Sequence, residues 1–218
     1  MMTMKSLFWM SSPARALAFG RGRLGAAAAA AAASLALAGC VSFAPEVPDT
    51  LIRLTPDHTA PAGSVARGKL SDAIVVLEPE TERSLEALRV PVRIDPANIA
   101  YLKGAGWIEK PTRLFRALLA ETIRADTDQM VLEGADYEVK GKTFIGGRLR
   151  DMGYDAQTSS VIVRYDAVRW QRGNEELERR RFEAVVPGVA AEAAAVGPAL
   201  NQAANQVASE VAAWVKGG

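Results

Sequence analysis

The sequence predicts an α/β fold of the α+β kind, a largely antiparallel sheet with two main helices packed on it. Three observations predict it. Residues 142–187 alternate apolar and polar side chains at period two, as strands with one buried face do. Leu114, Phe115, Leu118, Leu119 and Ile123 recur at helical spacing. So do Leu200, Ala203, Ala204, Val207, Val211, Trp214 and Val215.

In chain order, the first feature is not part of that fold. Lys5, Arg15, Arg21 and Arg23 precede an apolar stretch from Ala26 to Ala38, and no acidic residue occurs before Glu46. A basic opening, a short apolar stretch and a small-residue boundary form the pattern of an export signal. The stretch is well short of the ~20 apolar residues that span a bilayer. It ends in Leu37-Ala38-Gly39-Cys40, which resembles the lipobox of bacterial lipoprotein signal peptides. The resemblance implies a diacylglycerol thioether on Cys40, cleavage before it, and acylation of the new amine, for example with palmitate. Cys40 is the single cysteine, so a disulfide lacks a partner, and no Cys/His cluster surrounds it. Two or more acyl chains, at ~0.8 kcal/mol per buried methylene, anchor stably where one does not.

Processing there leaves 22 basic against 25 acidic side chains, a net charge of −3, which argues against nucleic acid as a partner. Val41 follows the cysteine. In the enterobacterial sorting rule an Asp at that place retains a lipoprotein in the inner membrane, so by analogy the destination is the outer membrane. The expected division is a lipoprotein signal peptide over 1–39, a lipidated N-terminus and extended tether over 40–72, and one folded domain over 73–218. Pro45, Pro48, Pro56 and Pro61 give the tether its extended character, with a short strand at Leu51-Ile52-Arg53-Leu54.

Ile74-Val75-Val76-Leu77 reads as a buried strand. Leu88, Val90, Val92 and Ile94 share one face of the next, where Pro91 requires a free edge or a bulge. Asp95-Pro96 turns the chain into a short strand over 98–102, and Pro111 opens the first helix. In the meander, Val161, Val163 and Tyr165 oppose Ile162, Arg164 and Asp166, with a turn at Arg172-Gly173-Asn174. Arg179-Arg180-Arg181, balanced by neighbouring glutamates, reads as an exposed strand face. The second helix is expected over about 198–216.

Catalytic chemistry does not stand out. His58 is the single histidine and falls in the expected tether, where it cannot hold hydrogen-bonding geometry. Asp126 and Asp128 suit a helix end. Gly146-Gly147 lacks the Lys and Ser/Thr of a phosphate loop, and Gly104-Ala105-Gly106 reads as a flexible turn. No catalytic residue, metal ligand or cofactor is expected.

Three segments then carry a resemblance. They are Val90-Pro91-Val92-Arg93-Ile94-Asp95 with Ile99-Ala100-Tyr101, Trp107-Ile108-Glu109-Lys110-Pro111 feeding the first helix, and Ala199-Leu200-Asn201-Gln202-Ala203 running to Ala213-Trp214-Val215. In that order, behind a lipobox, they resemble the auxiliary lipoproteins of ABC-type transport systems, which include the paraquat-inducible protein C-like lipoproteins. The glycine-rich loop between Tyr101 and Trp107 departs from the family's pattern. The resemblance implies a non-catalytic envelope component working with an MCE-domain (mammalian cell entry) protein and its ABC permease and ATPase. Such systems move phospholipid or other hydrophobic molecules. A homo-oligomer is compatible with it. Tyr101, Trp107 and Trp170 are candidate docking aromatics, since large amphipathic rings dominate many interfaces. The alternative is a structural or assembly lipoprotein that contacts outer-membrane or peptidoglycan machinery.

Overall fold

Strands β1 (Thr50–Ile52), β2 (Ile74–Val76), β3 (Arg89–Arg93), β4 (Ile99–Trp107), β5 (Val131–Glu133), β6 (Thr143–Asp155), β7 (Ser160–Gln171) and β8 (Leu177–Pro187) form a single sheet. Helices α1 (Arg83–Glu86), α2 (Pro111–Asp126) and α3 (Ala193–Lys216) complete the fold. The computed structural model describes residues 48–127, 129–134 and 141–217. Cys40 and the signal lie outside the described residues, as does Asp128.

The spine is the antiparallel β6-β7-β8 meander. Beyond β6 the sheet forks. The start of β6 pairs in parallel with β2, which carries β5, and its end pairs in parallel with β3, which carries β4 and β1. The fold class is therefore as expected, with parallel pairings at the fork that period-two alternation does not encode. Pro91 sits at a register shift between β3 and β4, the bulge its missing N–H requires.

One face of the sheet takes the two long helices. Val161, Val163, Tyr165 and Ala167 of β7 are fully buried there, with Phe182 and Ala184 of β8. The Tyr165 ring meets Phe115 of α2 edge-on at 5.1 Å, and Phe182 meets Trp214 of α3 at 5.6 Å. Each such side chain taken fully from water contributes about 1.5–3 kcal/mol. A bulge between Leu149 and Asp151 shifts the alternation so that Met152 and Tyr154 also reach the core. Gly147 has φ +130°, and a Cβ there would stand 2.0 Å from the Asp166 carbonyl oxygen, so only glycine lets β6 and β7 approach.

Three boundaries differ from expectation. Helix α3 starts at Ala193, before Pro198; the buried Val196 adds packing on that turn. Strand β4 runs on to Trp107, across a bulge where Gly104 takes φ +68°. Residues 50–60, expected within the tether, are tied to the body. Beyond β1, Asn201 Oδ1 accepts from the Thr55 N–H at 2.7 Å. The buried Asn205 accepts from the Asp57 N–H at 2.8 Å and donates to the Thr55 carbonyl at 2.9 Å. Glu121 accepts from the Ala60 N–H at 2.9 Å. His58 is held too, its Nδ1 lying 2.8 Å from Asp126 Oδ1 at the end of α2. These side chains replace water as partners for an extended backbone that makes few bonds of its own.

Candidate docking face

Neither long helix covers the opposite face of the sheet. Its centre is a lattice of ion pairs built by strand register. Arg148 of β6, Asp166 of β7 and Arg181 of β8 stand in one row, and Asp151, Arg164 and Glu183 in the next. Asp166 is 4% exposed and accepts from Arg181 at 2.6 and 2.9 Å and from Arg150 at 2.9 Å. Arg164 bridges Asp151 and Glu183, and Arg93 holds Asp155. The Arg181 hydrogen bonds above all, with those of Arg150, hold the Asp166 carboxyl well below the usual carboxylate range against the opposing effect of burial. Arg93 does the same for Asp155. A carboxyl held that low stays ionised and is not poised to exchange protons near neutral pH. What these carboxylates can do is hold arginines flat on the sheet, Asp166 taking Arg150 and Arg181 and Asp155 taking Arg93.

An apolar row crosses the strands beside this lattice. Tyr101 pairs with Pro91, Gly153 with Ile162, and Ile162 with Val185. Pro91 also packs on Gly153, whose absent Cβ would stand 2.4 Å from the Pro91 carbonyl oxygen. Ile99 adds to the row at 56% exposure, Val185 at 46%. With a bare glycine and a proline ring at its middle, the row forms a shallow groove. At the far end of the face Trp170 is half-buried and stacks on Phe144 at 5.3 Å, with the Arg172 guanidinium 5.4 Å from the Phe144 ring. Leu177, its cross-strand neighbour, is exposed.

The sequence-predicted aromatics thus separate. Tyr101 and Trp170 both lie on this face, Tyr101 beneath the Arg89 guanidinium at 4.4 Å. Trp107 does not. At 1% exposure it is a core residue, because β4 carries it inward beside Ile52, and its indole N–H finds no acceptor among the described residues. Pro91, Gly153, Ile162 and Val185 were missed as a set. Each carried only half of the signal, an apolar residue on the polar side of an alternating strand, and the register that aligns them is not written locally.

The model of the family described as ABC-type transport auxiliary lipoprotein component matches residues 54–212. The chain belongs to this family. Membership makes it an auxiliary lipoprotein component of an ABC-type transport system, and the match begins inside the bound segment, not at Ala73. Among solved structures, a Xanthomonas campestris protein of the DUF330 family superposes with a TM-score of 0.57 at 21% identity, over 78% of this chain and 93% of that one. A second, uncharacterized protein does so with a TM-score of 0.56 at 12% identity, over 66% and 92%. At such identities the likeness establishes the fold. No curated protein matches the sequence.

Proposed function

We propose that this family member is a non-catalytic lipoprotein, anchored through Cys40 in the outer membrane and facing the periplasm. Its partner is an MCE-domain protein with an ABC permease and ATPase that move phospholipid or another hydrophobic molecule. The observation that carries the reading is the sheet face that neither long helix covers, with α1 (Arg83–Glu86) only at its border. An ion-paired field flanked by an apolar groove and an aromatic end supplies the two things a docking surface needs, desolvatable contact and charge register. Family membership supplies the context of a transport system.

In this reading Tyr101, Pro91, Ile162 and Val185 make the apolar contact, Trp170 extends it, and the arginine lattice sets the register of the partner. The test is co-isolation of the full chain, in mild detergent, with the MCE-domain proteins of its native host. The wild type is expected to co-elute with one of them. The exposed-site variant Ile99→Asp/Val185→Asp should lose the complex while unfolding at an unchanged temperature. Absence of association, in detergent and by in-cell crosslinking alike, contradicts the proposal.

A further inference from the structure

We infer that the β1 end of the sheet rests on the phospholipid surface, with Leu51 and Ile108 seated among the headgroups. The inference deepens the anchored reading and rests on acylation of Cys40. Strand β1 turns Ile52 into the core beside Trp107, which leaves Leu51 on the opposite face. Its register partner there is Gly106, which offers no side chain to cover it. Gly106 cannot gain one, because a Cβ would stand 2.9 Å from both the Leu88 carbonyl oxygen and the Pro48 ring. Ile108 comes next along that face, its N–H donating to the Ile52 carbonyl at 3.0 Å. Leu51 and Ile108 are each 56% exposed, and Leu88, whose carbonyl accepts from the Trp107 N–H, is 51% exposed.

Two further observations name the occupant. The first is charge. Arg53, Lys103 and Lys110 are exposed around these side chains, and none has an ion-pair partner among the described residues. Glu109 is engaged by Arg113 at 3.2 Å, leaving Asp49 and Glu86 as the nearby acids. Exposed apolar side chains with arginine and lysine side chains beside them suit the boundary of an anionic lipid surface. The second is chain length. Seven residues separate Cys40 from Pro48. An extended chain spans at most ~3.3–3.6 Å per residue, so acyl chains on Cys40 keep Pro48 within roughly 28 Å of the bilayer. The patch that begins at Pro48 is therefore the part of the body that the anchor presents to lipid at high effective concentration.

The experiment places a photoreactive benzoylphenylalanine at 51, 108, 177 or 185 in the full chain in the native host, and reads the adducts by mass spectrometry. All four positions are exposed, so the fold tolerates the substitution. Phospholipid adducts at 51 and 108, several-fold above those at 177 and 185, are expected. Adding Arg53→Glu/Lys110→Glu should lower them severalfold. A discrete protein adduct at 51 and 108, from a transporter component or a second copy of this chain, overturns the proposal. So do equal lipid yields at all four positions. The intact mass of the same material reports Cys40 separately: acylation without lipid adducts at 51 and 108 sinks this inference alone, whereas a bare thiol sinks the anchor on which it rests.

Discussion

Asp166 shows how one buried carboxylate organises a surface. Its two oxygens take hydrogen bonds from Arg181 and Arg150, arginines from two different strands, and its charge also stands between Arg148 and Arg181 in their shared row of the sheet. Replacing it, Asp166→Asn, leaves those guanidinium groups without their counter-charge. Because Arg150 and Arg181 keep access to water, the loss is below that of a fully buried pair, about 1–3 kcal/mol by urea denaturation near neutral pH. The pH dependence follows from the direction of the shift. Asp166 and Asp155 are both held below their unfolded values, so the folded state gives up stability as protons bind the unfolded chain first. Their contribution is complete above about pH 4 and declines as pH falls below it. The Asp166→Asn chain should show a flatter acid limb than the wild type; identical limbs would mean that the lattice contributes nothing to folding. None of this was legible in the sequence, where Asp166 is one polar residue among alternating ones. Its neighbours are set by cross-strand register.

At the scale of elements, the sequence was most legible where one periodicity repeats long enough to outvote local noise. Helix α2 and strands β7 and β8 fall where the pattern put them, and Pro91 lies at a bulge for the reason its chemistry demands. Reading failed where a short element takes its stability from elsewhere. The segment after β1 has the prolines of a linker, yet Asn201, Asn205 and Glu121 bind its backbone from the helices. Those side chains look like ordinary polar positions on a helix surface until the fold brings them beside residues 55–60. Asn205→Ala removes one acceptor and one donor together, and the amide protons of Thr55 and Asp57 should then exchange at least tenfold faster, the equivalent of ~1.4 kcal/mol in local opening. Protection in the β7-β8 hairpin should be unchanged. If exchange at Thr55 and Asp57 did not rise, this clamp would not be what holds the segment down.

At the scale of the molecule, the two faces of the sheet divide the work. One is filled by α2 and α3 and provides stability. The other carries the salt lattice, the groove and the aromatic end, and is the face that the proposed function assigns to a protein partner. The β1 edge, where the chain leads back toward Cys40, carries apolar and cationic side chains suited to lipid. Family and fold class could be read from ordered segments and patterns, but the docking face could not, since it is assembled from residues of five strands whose pairing includes parallel steps. In the proposed function the body is held in the envelope by a covalent attachment at Cys40. The most direct measurement is the intact mass of the protein purified from its native host. A chain beginning at Cys40 and carrying a diacylglyceryl group, with or without a third acyl chain on the amine, is the predicted result. A chain that retains residues 1–39 with an unmodified Cys40 would contradict the account.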